Sequence, residues 1–157
     1  MTRNPAIMNE LIAAPARVGE SRLPDERLLG WAEWGCPDAT PILLCPGAAT
    51  SRWLGFGADA VEALGVRLVS VSRPGLGNST PAPGRSFADF ADDIRHLALQ
   101  RGLGRPAVVG NSQGAPFALG CAVDGITGPL AIVSGADEIA APEFAETLPP
   151  ELRALVE

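Results

Sequence analysis

Gly110-Asn111-Ser112-Gln113-Gly114 has the G-x-S-x-G spacing of a sharp strand-to-helix turn that presents a serine hydroxyl as a nucleophile. In a chain with 18 glycines the pentapeptide alone says little, and an incidental serine in a plain turn is the competing reading. Its surroundings carry the weight. Ala107-Val108-Val109 reads as a buried strand running in, and Ala115-Pro116-Phe117-Ala118-Leu119 as a helix running out. Gly110 and Gly114 leave room for strand and helix to approach. Pro116 falls where a helix has amides with no intrahelical acceptor to lose. Acyl transfer from such a serine also needs donors for the charge that develops on the attacked carbonyl oxygen. The Gln113 N–H, directly after the serine, is one candidate, and Cys45-Pro46-Gly47-Ala48 offers the Ala48 N–H as the other, so Ala48 and Gln113 form the expected oxyanion hole. Taken alone, Pro46-Gly47 more often marks a plain turn; its place ahead of the elbow in the strand order favours the oxyanion-hole reading.

A serine nucleophile needs a base to take its proton and an acid to orient that base. His96 is the single histidine. At 100° per residue it falls opposite the apolar face of its helix, on the side of Asp89 and Asp92, so it is expected at the solvent face. It also lies about 15 Å along the helix axis from the active-site edge, so it is not expected to serve as the base.

The elements that must position these residues follow from short apolar runs and their punctuation. Arg17 to Leu23 and Arg27 to Trp34 read as a hairpin turning at Pro24-Asp25. Strands are expected at Pro41 to Leu44, Val66 to Val71, Pro106 to Gly110 and Leu130 to Ser134. Helices are expected over Phe56 to Leu64, stopping at Gly65, over Phe87 to Arg101, and from near Gln113. Ser86 with Asp89 resembles a capping box, and Phe87, Ala91, Ile94 and Ala98 share one face. This alternation predicts an α/β fold: a mostly parallel sheet of about six strands, the first two as a hairpin, with helices on both faces and the active site at the carboxyl ends of the strands.

Composition narrows the classes. A chain of 157 residues fits one domain with a real core, and 46% apolar against 19% charged residues makes the glycines and prolines turn markers rather than signs of disorder. A net charge of −6 without clustered cations argues against nucleic acid. All 12 cations are arginine, which removes Schiff-base and P-loop lysine chemistry. Cys36, Cys45 and Cys121 form no close pair, so buried free thiols are expected rather than a disulfide framework or a zinc site. Gly75-Leu76-Gly77 lacks the third glycine of a dinucleotide fingerprint and follows the fourth strand rather than the first. No metal or cofactor is expected. The stretch from Gly114 to Val123 is too short for a membrane span and Met1 to Asn4 lacks a secretory layout, so a cytoplasmic protein without membrane contact is expected.

Three segments in this order, Cys45-Pro46-Gly47-Ala48, Arg73-Pro74-Gly75-Leu76-Gly77-Asn78-Ser79 and Gly110 to Gly114, resemble the first half of α/β-hydrolase-fold serine hydrolases, the group of esterases, lactonases and non-metal haloperoxidase-like enzymes. The resemblance runs from about Val18 to Ala136. It departs at Pro46, where the family commonly has His, and at Asn111, where His or Phe is more usual. Family dehalogenases and epoxide hydrolases carry Asp at the elbow, and Ser112 argues against both. The resemblance implies a truncated α/β-hydrolase fold: residues 1–16 as an N-terminal extension, 17–141 as a partial domain and 142–157 as the start of a cap or lid. It implies a serine hydrolase for a small acyl ester or lactone, with the triad His and usually the acid beyond Glu157. Some members place the acid after the sixth strand, where Gly135-Ala136-Asp137-Glu138 falls, so the resemblance makes Asp137 a candidate acid, with a turn or cap residue as the competing role. In the family the sixth strand is covered by a seventh, so Leu130 to Ser134 is expected as an open edge. Self-association or a complementary C-terminal chain would follow. The alternative is a non-catalytic half-domain that acts as a binding or interaction protein.

Overall fold

The computed structural model describes residues 13–48, 50–55 and 57–135. Asp137 and the segment 142–157 lie outside them, as does most of the expected N-terminal extension.

The chain opens with a hairpin of β1 (Arg17–Arg22) and β2 (Leu28–Trp34), antiparallel with Arg17 opposite Glu33 and Arg22 opposite Leu28. Pro24, which lacks an N–H, and Asp25, whose carboxylate accepts from the Arg27 N–H at 3.3 Å, lie in the turn between them. Four more strands follow: β3 (Thr40–Cys45), β4 (Val66–Val71), β5 (Ala107–Asn111) and β6 (Leu130–Val133). The sheet order is β1-β2-β4-β3-β5-β6, with β2 antiparallel to β4 and every later pairing parallel. Each crossover among the parallel strands is long enough to hold a helix, which is what parallel pairing requires.

The helices are α1 (Ala58–Leu64), α2 (Phe87–Arg101) and α3 (Ala115–Val123). Gly65 ends α1 in the left-handed conformation at φ 59°, a region open to glycine, so the expected stop is found where a residue without Cβ permits it. Ser86 and Asp89 form the expected capping box at the start of α2. On one face of the sheet Leu43, Cys45, Val71 and Val108 pack with Phe90, Ile94 and Leu97 of α2 and Ala118 of α3. On the other, Ala32, Trp34, Leu44 and Leu68 pack with Val61 of α1. Helices therefore cover both faces, and β3 and β4 run through the middle of the core. Among the described residues no helix is long and apolar enough to cross a membrane.

Three expectations need correction. Phe87, placed on the buried face of α2, is 49% exposed because it sits in the first turn, beyond the sheet, against the Phe117 ring. His96 is half-buried rather than on the solvent face. Cys36 is exposed in the turn after β2, whereas Cys45 and Cys121 are buried as expected. The helix expected from near Gln113 is present, as a single 3-10 turn over Ser112–Gly114 that runs into α3 at Ala115.

Candidate active site

Ser112 stands at the carboxyl end of β5 with φ 51°, in the left-handed region that a residue with a Cβ enters only under strain. The strain arises from the turn. β5 must stop, reverse its direction through one 3-10 turn and enter α3 within three residues. Both flanking glycines are demanded by contact: a Cβ on Gly110 would lie 2.8 Å from Ala115 Cα and from Ala118 Cβ. A Cβ on Gly114 would collide with the Cys45 carbonyl. Pro116 occupies the first turn of α3, where it removes no helical hydrogen bond. The outcome is a half-buried Ser112 and an exposed Gln113 at one end of the sheet.

The loop after β3 reaches the same point. In the β3–β5 register Cys45 faces Gly110, and two residues further along each strand Gly47 comes level with Ser112. A Cβ on Gly47 would be 3.1 Å from Ser112 Cβ, so glycine here lets the loop lie against the serine. Ala48 follows in an exposed turn. Ser112, Gln113, Gly110 and Gly114, at the carboxyl end of β5, and Ala48, in the loop after the neighbouring β3, therefore share one end of the sheet.

The sequence alone does not disclose the group that holds this loop. Arg73 Nη2 donates to the Gly47 carbonyl at 2.8 Å, and Thr50 Oγ1 donates to the same oxygen at 2.7 Å. The guanidinium also lies over the Phe117 ring, 4.8 Å from its centroid. Burial lowers the Arg73 pKa from its ordinary value, with Cys45 acting in the opposite sense. The signal was present in the parallel pairing: Leu44 faces Ser70, and the same offset puts Gly47 beside Arg73. Asn111, a departure from the family pattern, donates from its Nδ2 to the Val133 carbonyl at 3.4 Å and ties the elbow to β6.

The other candidates for chemistry lie apart. The turn of α2 that carries His96 is at the opposite end of the sheet: Arg95 and Ala98 line a cavity with Arg105, which precedes β5, and with Gly125 and Ile126, which follow α3. Burial pushes the Cys121 thiol up to about 12 and the Cys45 thiol well above its ordinary value, so neither is a thiolate nucleophile. Among the described residues no cluster of His, Cys, Asp or Glu could hold a metal ion.

Residues 40–123, more than half of the chain, match the family model for the alpha/beta hydrolase fold. The chain belongs to the α/β hydrolase fold family. Among solved structures it is similar to VinJ, at 19% identity and TM-score 0.65, with 89% of this chain covering 52% of that one. An alpha/beta hydrolase from Sphaerobacter thermophilus is similar at 21% identity and TM-score 0.63, over 87% of this chain and 64% of that one. The esterase RhEst1 from Rhodococcus sp. matches at 22% identity and TM-score 0.59, over 75% and 46%. At these identities the likeness is one of fold, and the chain spans about half the length of VinJ. No curated protein matches it in sequence.

Proposed function

We propose that this chain carries the nucleophile and oxyanion-hole half of a serine hydrolase acting on a small acyl ester or lactone. The observation that carries the reading is Ser112 at φ 51°, strained at the strand-to-helix turn of a family fold built to expose that residue. In this reading the Ser112 Oγ attacks the acyl carbonyl carbon as its proton passes to a base. The N–H groups of Gln113 and Ala48 receive the developing oxyanion. The C–O bond to the leaving oxygen breaks and that oxygen takes the proton, leaving as a free alcohol from an ester or staying on the acyl chain as a hydroxyl from a lactone; water then hydrolyses the acyl-serine by the same steps in reverse.

His96 does not serve as the base, because it lies toward the far end of the sheet. Asp137 keeps its candidacy as the acid on the family resemblance, which allows an acid after the sixth strand. A base supplied from outside the described residues, or by a complementary chain, completes the mechanism. The second reading, a non-catalytic half-domain that binds another polypeptide, is favoured by the apolar edge of β6, where Leu130, Ile132 and Val133 are all exposed.

A serine-directed phosphonate tests the first reading. Slow labelling is expected, lost in Ser112→Ala and unchanged in His96→Ala. Labelling that survives Ser112→Ala would overturn the nucleophile assignment, and rapid labelling abolished by His96→Ala would overturn the exclusion of His96. Esterase assays with and without a C-terminal half supplied in trans separate the two readings.

A further inference from the structure

We propose that Arg73 is a positioning residue for the Ala48 donor, acting through the Gly47–Ala48 peptide. The inference rests on the serine hydrolase reading and deepens it.

The Gly47 carbonyl accepts from Arg73 Nη2 at 2.8 Å and from Thr50 Oγ1 at 2.7 Å. That carbonyl and the Ala48 N–H belong to a single peptide unit, and the described residues contain no cis peptide bond. In a planar trans peptide the C=O and N–H vectors point in opposite directions. Two donors that fix the oxygen thereby fix the opposite heading of the N–H, and rotating the peptide to misaim Ala48 would break both hydrogen bonds. The same bonds draw electron density toward the oxygen, which makes the Ala48 N–H a stronger donor, and the one from Arg73 is charge-assisted.

The arginine is placed for this purpose by the sheet rather than by a counter-ion. It extends the β3–β4 register past the strand ends, so it stands level with Gly47, which in turn stands level with Ser112. Its ring partner Phe117 belongs to the first turns of α3, the helix that leaves the elbow. Among the described residues Arg73 makes no ion pair, and its Nε is buried without a partner. Arg17, Arg67 and Arg101, by contrast, sit on the Glu33 carboxylate. Arg73 instead directs its charge at one backbone oxygen beside the nucleophile.

The test uses the whole chain, isotopically labelled, before and after reaction of Ser112 with a phosphonate. In the free chain Arg73→Met should move the Gly47 carbonyl and Ala48 amide-proton resonances upfield, Thr50→Val should move both in the same direction, and Arg73→Lys should restore much of the shift. Phosphonylation should slow about tenfold in Arg73→Met, less than the roughly hundredfold effect of deleting an oxyanion donor outright. It should recover in Arg73→Lys. Circular dichroism confirms that each variant is folded; if Arg73→Met is not, Arg73→Lys and Thr50→Val carry the comparison. Unchanged Gly47 and Ala48 resonances in folded variants would overturn the proposal, as would a slowed reaction that Arg73→Lys does not rescue. Failure of Ser112 to label in the unaltered chain would instead overturn the hydrolase reading, with the free-chain resonances still deciding whether Arg73 orients the peptide.

Discussion

Arg27 grips Asp93 with both terminal nitrogens, Nη2 on Oδ1 at 2.6 Å and Nη1 on Oδ2 at 3.1 Å, across 66 residues of chain. Asp93 lies buried in α2, and Arg85 Nη2 reaches the same carboxylate at 2.9 Å. The pair fastens the hairpin to the helix that packs beneath the sheet. Removing one member of a buried pair leaves the other charge unpaired, so Asp93→Ala should lower stability by about 3 kcal/mol. Asp92→Ala, which removes an exposed partner of Arg95, should change it by less than about 0.5 kcal/mol. Urea unfolding with unchanged m-values checks the contrast, and equal effects would refute the assignment of the buried pair.

Glu33 gives the acid limb of stability. Burial raises its pKa, but hydrogen bonds from Arg67, Arg17 and Arg101 outweigh burial and hold the carboxyl below its ordinary value of 4.5. A group whose pKa is depressed in the folded state contributes fully above its unfolded value and loses that contribution as pH falls through the folded one. Glu33→Gln should therefore be less stable at pH 7, by about 3 kcal/mol, and should lose less on acidification below about pH 4.5. Asp25, held low by its hydrogen bond from Arg27, and Asp89, held low by the Ser86 N–H, remain in the variant, so its acid limb should flatten without vanishing. Unfolding free energies from pH 7 to pH 3 provide the measurement.

These charged groups mark the limit of what the sequence discloses. The strands, the helix ends at Gly65 and Ser86, and the elbow at Ser112 are local matters of apolar runs, caps and small residues, and all were legible. Asp93 sits beside Ile94 on the buried side of α2, where periodicity alone would reject a carboxylate. Its partners Arg27 and Arg85 come from other elements, and no spacing rule connects them. The solvent-face expectation for His96 fails for a related reason: a 100° count treats the helix as lying on a flat core, whereas α2 is flanked by the hairpin and by α3, and its sides are partly covered. Arg73 was visible within a quoted motif, but its task emerges only once β3 and β4 are known to be parallel neighbours.

The two glycines nearest Ser112 should behave differently. A Cβ on Gly114 meets the Cys45 carbonyl, which is backbone in the middle of the sheet and has nowhere to move. Gly114→Ala should therefore destabilise the fold, by about 1 to 3 kcal/mol as overpacking does, and abolish Ser112 labelling. A Cβ on Gly47 meets Ser112 Cβ at 3.1 Å, close enough to crowd the nucleophile without breaking the sheet. Gly47→Ala should keep nearly the parent melting temperature while phosphonate labelling slows. Thermal melts run beside labelling kinetics separate the two, and a Gly114→Ala variant as stable and reactive as the parent would contradict the close packing of the elbow on β3.

Among the described residues β6 forms an outer edge of the sheet. It pairs with β5 on one side, from Leu130 beside Val108 to Val133 beside Asn111, and among the described residues its outer edge has no partner strand. All four of its residues are exposed, and Leu130, Ile132 and Val133 are large apolar side chains with no charge or proline among them to discourage another strand. Successive residues point to opposite faces, so Ile132 lies on the side of α3, where its Cδ1 would be 3.0 Å from a Cβ on Gly110, while Val133 points to the other side. Strand addition at this edge would satisfy backbone groups and cover both apolar rows, so the chain should self-associate in a concentration-dependent way. Val133→Lys should weaken that association with little loss of fold, because its face carries no helix contact with Gly110. Ile132→Lys should weaken it as well, but with some destabilisation through the elbow packing. Size-exclusion chromatography with light scattering, run beside circular dichroism over a hundredfold range of concentration, measures both effects. A folded monomer of the unaltered chain throughout that range would refute the open-edge account, and association unaffected by Val133→Lys would place the contact elsewhere on the surface.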